Sequence, residues 1–319
     1  MSSSIEPGFI ALHGNRTEVL MDTVAAWLRQ HPLAPLEQET ILVQSNGMAE
    51  WVKMSLARNA GVCAAAAVQL PARFQWQTYR QVLGRAQVPA RSPLDKTALA
   101  WRLMRLLPEV LAEPGFAPVA GYLAEDDPGR RFQLALRIAD LYDQYQVHRP
   151  DWLDAWGEGR EALPDAGRGE TPLAGRFETP LPEDQRWQAR LWQRVVDELD
   201  PQQRALTRPQ LHDRVLAALD AIAEDAALHP AAALPRRVVL FGMTHVPLPT
   251  LQLLAAVSRH AQVLLAIPNP CRFHWADILD GREWLRIARR RHPLREGRAL
   301  HAVGLDAMHL HAHPLLAAW

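Results

Sequence analysis

ILVQSNGMAEWVKM, residues Ile41 to Met54, is the stretch whose reading decides the fold. Ile41, Leu42 and Val43 form a short apolar run of the kind carried by a strand buried on both faces of a parallel sheet. Gln44, Ser45, Asn46 and Gly47 then make a polar turn, and Met48, Trp51, Val52 and Met54 recur at helical spacing, so the stretch is predicted to run strand, turn, helix. Such a turn exposes the first N–H groups of the helix, which attract an anion such as phosphate, while the amides of Gln44 and Asn46 can read a base edge. Ser45 or Asn46 serving only as a helix cap is the other reading of the same residues.

Working outward, Phe9 to Leu12 is a strand candidate ending in His13-Gly14-Asn15-Arg16, and Val19, Leu20, Val24, Trp27 and Leu28 mark a helix with Thr17 near its cap. In a nucleotide-binding αβα domain this turn would be a phosphate loop. The GxxxxGK[ST] pattern is missing and no Lys follows Gly14, so ATP hydrolysis is not expected here. A third strand is predicted within the Ala-rich Val62 to Val68, followed from Leu70-Pro71-Ala72 by a helix carrying Phe74, Trp76 and Tyr79. Far along the chain, Val238 to Phe241 and Val263 to Ile267 are further buried-strand signals, separated by the Gly242-Met243-Thr244-His245 turn and a helix around Leu251 to Val257.

Strands at both ends with helices between them predict an α/β parallel-sheet domain, residues 1–93 and 224–319, interrupted by a helical insertion over 94–223. Pro108, Pro114 and Pro128 punctuate the start of that insertion. Phe132 to Val147 is its most strongly patterned helix, with Leu134, Ile138, Leu141 and Tyr145 on one face and Asp140, Asp143 and Gln144 largely off it. On pattern alone those acids form a solvated face. Pro150 pushes Arg149 out of the helical region and ends the helix, and residues 157–184, rich in Gly, Pro, Arg and acids, are expected to be a mobile loop.

A net charge of +0 means that any nucleic-acid contact must come from a local positive field. Of the 35 basic residues only Lys53 and Lys96 are lysines, and arginine suits bidentate phosphate contacts. Cys63 and Cys271, with no CxxC, fit a reduced, cytoplasmic protein without a structural metal. The first residues lack a basic, then apolar, leader pattern, and no apolar run approaches the length of a membrane span, so neither secretion nor membrane spanning is expected. His301, His309, His311 and His313 crowd the tail in Gly- and Ala-rich sequence, and no metal site is expected there. Arg286 to Arg298 is the densest positive patch, as ready to meet a phosphate backbone as to end a solvated helix. No GxSxG or HExxH is present, and Asp126-Asp127 sits in a Pro/Gly turn, so no catalytic residue is assigned. Eleven tryptophans stand against four tyrosines; among them Trp76 is placed either to stack an unpaired base or to fill the core.

Taken in order, ILVQSNGMAEWVKM, LPARFQW, IADLYDQYQVHRPDWL, VVLFGMTHVPLPTLQLL and IPNPCRFHWADI resemble the N-terminal part of the RecC family, the gamma subunits of exodeoxyribonuclease V. The resemblance runs from about His13 to Trp319, and because members are longer, the chain is expected to be the N-terminal portion of a longer product. It implies an inactivated helicase-like, P-loop NTPase-like fold that has lost its motor: the first turn is HGNR, the second QSNGMAEW, and VVLFGMTH lacks the acidic pair of a Walker B site. It also implies a non-catalytic subunit that holds RecB-like and RecD-like motors, guides split DNA strands and scans one of them for Chi during repair of double-strand breaks. No cofactor is implied for this chain, ATP and Mg being expected in the partner subunits.

The strand-contacting residues implied are Gln44, Asn46, Glu50, Leu70, Trp76, Asp140, Leu141, Asp143, Arg149 and Arg208. Glu50 stands where the family pattern has Gln, and Asn46 where it has a hydroxyl residue or Pro. Asp140, Asp143 and Arg149 are expected to form an ion pair or hydrogen bond among themselves that latches a channel. Two other classes remain open: a catalytically inert αβα scaffold that binds only protein, and a small-molecule enzyme using the Gln44–Gly47 turn.

Overall fold

The computed structural model describes residues 5–113, 115–123, 127–164, 178–224 and 234–269. The chain forms two compact units, a sheet unit of residues 1–70, 235–245 and 261–319 and a helical unit of residues 71–234 and 246–260. The helical unit thus begins at Pro71, earlier than the expected 94, and takes in the helix between the last two strands.

In the sheet unit, β1 (Gly8–Gly14), β2 (Glu39–Leu42), β3 (Ala66–Gln69), β6 (Arg237–Phe241) and β7 (Gln262–Pro268) form one sheet in the order β1-β7-β6-β2-β3, every pair parallel. The fold class is therefore α/β with a parallel central sheet. Burial explains the sequence pattern strand by strand. Arg237–Phe241 is buried at every position, as a central parallel strand must be, whereas edge strand β1 alternates between half-buried and exposed residues. Helices α1 (Thr17–Gln30) and α2 (Asn46–Ala60) cover one face, with Leu20, Met21, Val24, Ala49 and Val52 packed against Ile41, Val43, Val239, Phe241 and Leu264. Gly61 ends α2 in the left-handed conformation at φ 80°, a position glycine occupies without Cβ strain.

The amino ends of the strands are tied by one buried charge. Arg237 has a fully buried side chain whose guanidinium donates to Glu39 Oε1 at 2.7 Å, Gln262 Oε1 at 2.9 Å and the His31 carbonyl at 2.5 Å. Burial lowers the pKa of Arg237 and raises that of Glu39, each opposed by the other's charge. The carboxyl ends carry the turns, which is where open α/β sheets receive their ligands.

The helical unit contains α3 (Pro71–Val82), α4 (Lys96–Val110), α5 (Ala117–Tyr122), α6 (Pro128–His148), α7 (Pro150–Gly157), α8 (Arg186–Asp197), α9 (Pro201–Arg204), α10 (Arg208–Glu224) and α11 (Leu248–Val257). Its core is aromatic: Tyr142 meets Trp192 edge-on at 5.1 Å, and Tyr145 meets Trp152 at 5.4 Å and Trp156 at 5.7 Å. The indole N–H groups of Trp156 and Trp192 donate to the carbonyls of Ala162 and Leu153, so much of the tryptophan excess is structural.

The stretch 157–184, expected as a mobile loop, is ordered at both ends. Strands β4 (Ala162–Pro164) and β5 (Glu178–Pro180) pair antiparallel, and Glu161 takes ion pairs from Arg186 and Arg190. Ladder bonds and charge pairs, which show no apolar period, give this segment its structure; residues 165–177 lie outside the described residues.

Candidate nucleic-acid interface

Helix α3 begins at Pro71, whose missing N–H costs nothing in the first turn. Phe74, Thr78 and Tyr79 recur at helical spacing and are buried, which leaves Arg73, Gln75 and Trp76 along the margin of that stripe. Trp76 is half-buried, and its indole N–H is shared between the carbonyls of Pro89 and Ala90, each at 3.1 Å. The ring is thereby fixed in place by the loop that follows α3.

A cleft of about 240 Å³ opens beside it, lined by Arg73, Gln75, Trp76, Tyr79, Arg91, Asp95 and Arg208, with Ala72 and Ala90 completing its wall. Three guanidiniums, one carboxylate and one half-buried indole thus converge within a single unit. Arg208 Nη2 lies 3.0 Å from Asp143 Oδ1 and 3.7 Å from Asp95 Oδ1. Asp143 Oδ1 is buried and has no aligned hydrogen bond, so the guanidinium beside it is its sole compensation among the described residues. Behind the cleft the Tyr79 hydroxyl meets His212 Nδ1 at 2.8 Å.

The latch expected among Asp140, Asp143 and Arg149 does not form. Asp140 pairs with Lys96 at 2.5 Å, and that ammonium lowers its pKa. Asp143 pairs with Arg208. Arg149 grips Asp151 through two bonds of 2.9 and 2.7 Å, donates to the Pro164 carbonyl at 2.6 Å and stacks 4.1 Å over the Trp152 ring. Helical spacing put three charges near one another, but Lys96 and Arg208 from other segments took the two acids, and Asp151, two residues on, took Arg149. Of the expected residues in this unit, Trp76 and Arg208 line the cleft, Asp143 stands behind Arg208, Leu141 is half-buried on α6, and Arg149 serves the β4 end.

The remaining expected residues belong to the sheet unit. Gln44 and Asn46 are exposed in the turn from β2 to α2, where Ser45 Oγ accepts the Met48 N–H at 3.2 Å and acts as the cap. Glu50 is exposed and pairs with Lys53 at 2.8 Å. Leu70, 37% exposed, follows β3. In the turn after β1, Arg16 precedes α1 in extended conformation and gives it no side-chain cap.

Sequence reasoning missed Arg73, Gln75, Arg91, Asp95 and His212. Arg208 and His212 are four residues apart on α10, and Arg73 and Trp76 three apart on α3, a shared-face signal readable in principle. Asp95 and Arg91 come from an irregular connection that carries no period. Asp126, the Arg286–Arg298 patch and the four tail histidines lie outside the described residues. Among the described residues no group of three or more His, Cys, Asp or Glu side chains is placed to hold a metal, and no helix is long and apolar enough to cross a membrane.

A family model for the RecC N-terminal domain matches residues 9–319. The chain belongs to the RecC family. Its relatives include RecBCD enzyme subunit RecC of Escherichia coli, 36% identical over 84% of this chain and 22% of that protein, and of Haemophilus influenzae, 34% identical over 88% of this chain and 25% of that protein. The RecC of Mycolicibacterium smegmatis is 29% identical over 97% of this chain and 24% of its own length. The chain therefore spans about a quarter of the length of the RecC proteins it matches.

Proposed function

We propose that the chain is a non-catalytic, DNA-contacting part of a RecBCD-type exodeoxyribonuclease V. In this reading it works in the cytoplasm with RecB-like and RecD-like chains on broken DNA ends, guides the split strands and inspects one of them for Chi. The observation that carries the reading is the cleft of the helical unit. Trp76 offers a ring on which an unpaired base stacks, Arg73, Arg91 and Arg208 supply the local positive field that a contact to DNA needs in a net-neutral chain, and Asp95 with Gln75 offers polar edges to a base.

The sheet unit fits a helicase-like ancestry without a motor. Its parallel strands present their turns at the carboxyl ends, yet the turn after β1 has no Lys to reach a triphosphate and the turn after β6 no acidic pair for a metal. Gln44 and Asn46 remain exposed there for strand contact. Any ATP and Mg chemistry belongs to the partner subunits.

A second reading, an inert scaffold that binds only protein, draws on Trp101, which is 61% exposed and lies tilted against Phe132 with ring centroids 5.4 Å apart. Anisotropy of a labelled single strand titrated with the full chain separates the two. The DNA reading expects salt-dependent binding that Trp76→Ala weakens by about 1–3 kcal/mol; binding unaffected by Trp76→Ala, or none at low salt, favours the scaffold.

A further inference from the structure

Asp95 stands at the N-cap of α4, where an aspartate side chain normally accepts an N–H of the first helical turn, yet it makes no such bond. It lines the cleft with Trp76, and its carboxylate meets one cation among the described residues, Arg208, at 3.7 Å, which is beyond hydrogen-bond length. Arg208 itself lies closer to Asp143, at 3.0 Å. The Asp95 side chain is 32% exposed, so a ligand in the cleft reaches it. Its mount is rigid. Ser92 and Leu94 are buried, the Ser92 carbonyl accepts the Asp95 N–H at 3.1 Å, Ser92 Oγ accepts the Leu94 N–H at 3.2 Å, and Gln146 Nε2 donates to the Leu94 carbonyl at 3.2 Å. Helix α4 thus forgoes a side-chain cap, and two acceptor oxygens are held on a fixed loop beside the indole.

We propose that Asp95 is a specificity-determining residue of the cleft and that it selects an unpaired guanine, an inference that rests on the DNA reading above. The Trp76 N–H is spent on the Pro89 and Ala90 carbonyls, so the indole offers only its face, and stacking on a face is tolerant of any base. Discrimination therefore falls to the polar wall. A carboxylate only accepts, and it accepts best from two parallel N–H groups at once. Guanine is the DNA base whose Watson–Crick edge carries two adjacent donors, N1–H and the 2-amino group. Adenine and cytosine set a ring-nitrogen lone pair beside their single amino group, and thymine flanks its one N–H with two carbonyls, so each turns an acceptor toward a carboxylate oxygen. The remaining group on the guanine edge, O6, accepts, and the guanidiniums of Arg73, Arg91 and Arg208 share the same wall.

The test measures the full chain's affinity for a short oligo(dT) whose central base is replaced by guanine, by hypoxanthine, which is guanine without its 2-amino group, or by adenine. The wild type prefers guanine to hypoxanthine by about tenfold, the worth of one hydrogen bond to a charged group, and binds the adenine strand most weakly. Asp95→Ser abolishes the difference between guanine and hypoxanthine. Asp95→Asn replaces one acceptor with a donor, which matches the adenine edge, and raises adenine relative to guanine. Ser and Asn both suit an N-cap, so neither variant is expected to unfold α4. In urea unfolding, Asp95→Ser keeps the wild-type midpoint or exceeds it; a clear fall would mean that the carboxylate serves the fold through Arg208, and would overturn the proposal.

The two levels fail separately. Equal affinity of the wild type for the guanine and hypoxanthine strands, or a preference that survives in Asp95→Ser, overturns the role of Asp95 while salt-dependent binding weakened by Trp76→Ala keeps the DNA reading. If no strand binds at low salt, the DNA reading fails and the guanine selectivity falls with it.

Discussion

Arg208 and Asp143 approach to 3.0 Å, and the carboxylate oxygen at that contact is buried without an aligned hydrogen bond. The same guanidinium reaches Asp95 at 3.7 Å on the cleft wall, so one arginine compensates an inner acid and an outer one. Removing Arg208 strands both acids, whereas removing Asp143 leaves Arg208 with Asp95. Arg208→Ala is therefore expected to cost more stability than Asp143→Ala, by about 1–3 kcal/mol for the buried acceptor left unmet. In urea unfolding, the double variant should fall short of the sum of the two by a coupling of about 0.5–3 kcal/mol. Strict additivity would show that the pair is incidental.

Arg73 and Arg91 line the cleft but are exposed, and neither has an ion-pair partner among the described residues. If a strand runs through the cleft, each neutralises phosphate charge. Arg73→Ala should then weaken binding for all sequences and lower the slope of log affinity against log salt by roughly one. A changed base preference with an unchanged salt slope would assign Arg73 to base reading instead.

His212 sets a pH dependence whose sign follows from burial. Its pKa in the fold is below the ordinary 6.5, so below that value the unfolded chain binds more protons than the folded one, and stability falls as pH drops from 6.5 toward the folded value. Above 6.5 the contribution is fully present. Urea midpoints measured near pH 7.5 and near pH 5.5 should differ more in the wild type than in His212→Gln. Equal differences would place the acid sensitivity elsewhere.

Arg237 is the buried charge that ties the amino ends of three strands. Its fork joins Glu39, Gln262 and the His31 carbonyl. Arg237→Met leaves the half-buried Glu39, whose Oε2 is inaccessible, without its partner and is expected to destabilise the fold by about 3–5 kcal/mol. The paired replacement Glu39→Gln with Arg237→Met should recover part of that loss, and a chemical denaturation series checks both. No recovery would mean that Gln262 and His31, rather than the charge pair, set the cost.

The sheet was legible because its central strands are buried on both faces, which leaves a period-free apolar run that no surface element shows. Ile41 to Val43, Val238 to Phe241 and Val263 to Ile267 all carry it. The cleft was legible only in part. Trp76 and Arg208 are approached through resemblance, but α10 meets α3 only by tertiary packing, across the 133 residues that separate Tyr79 from His212, and Arg91 and Asp95 come from a connection without a period. The latch failed for the opposite reason: spacing along α6 made Asp140, Asp143 and Arg149 look like partners, while Lys96, Arg208 and Asp151 lay closer in space or in chain. The two ends of the 157–184 segment hid their pairing because charge pairs and a short ladder leave no hydrophobic rhythm.

The most direct test of the central claim is photo-crosslinking of the full chain to a single strand carrying 5-iododeoxyuridine, followed by mass spectrometry of the peptides. The account predicts adducts on Trp76 or Tyr79, competed away by unlabelled single strand and lost at high salt. Adducts confined to other peptides, with the Trp76 peptide unmodified, would contradict it.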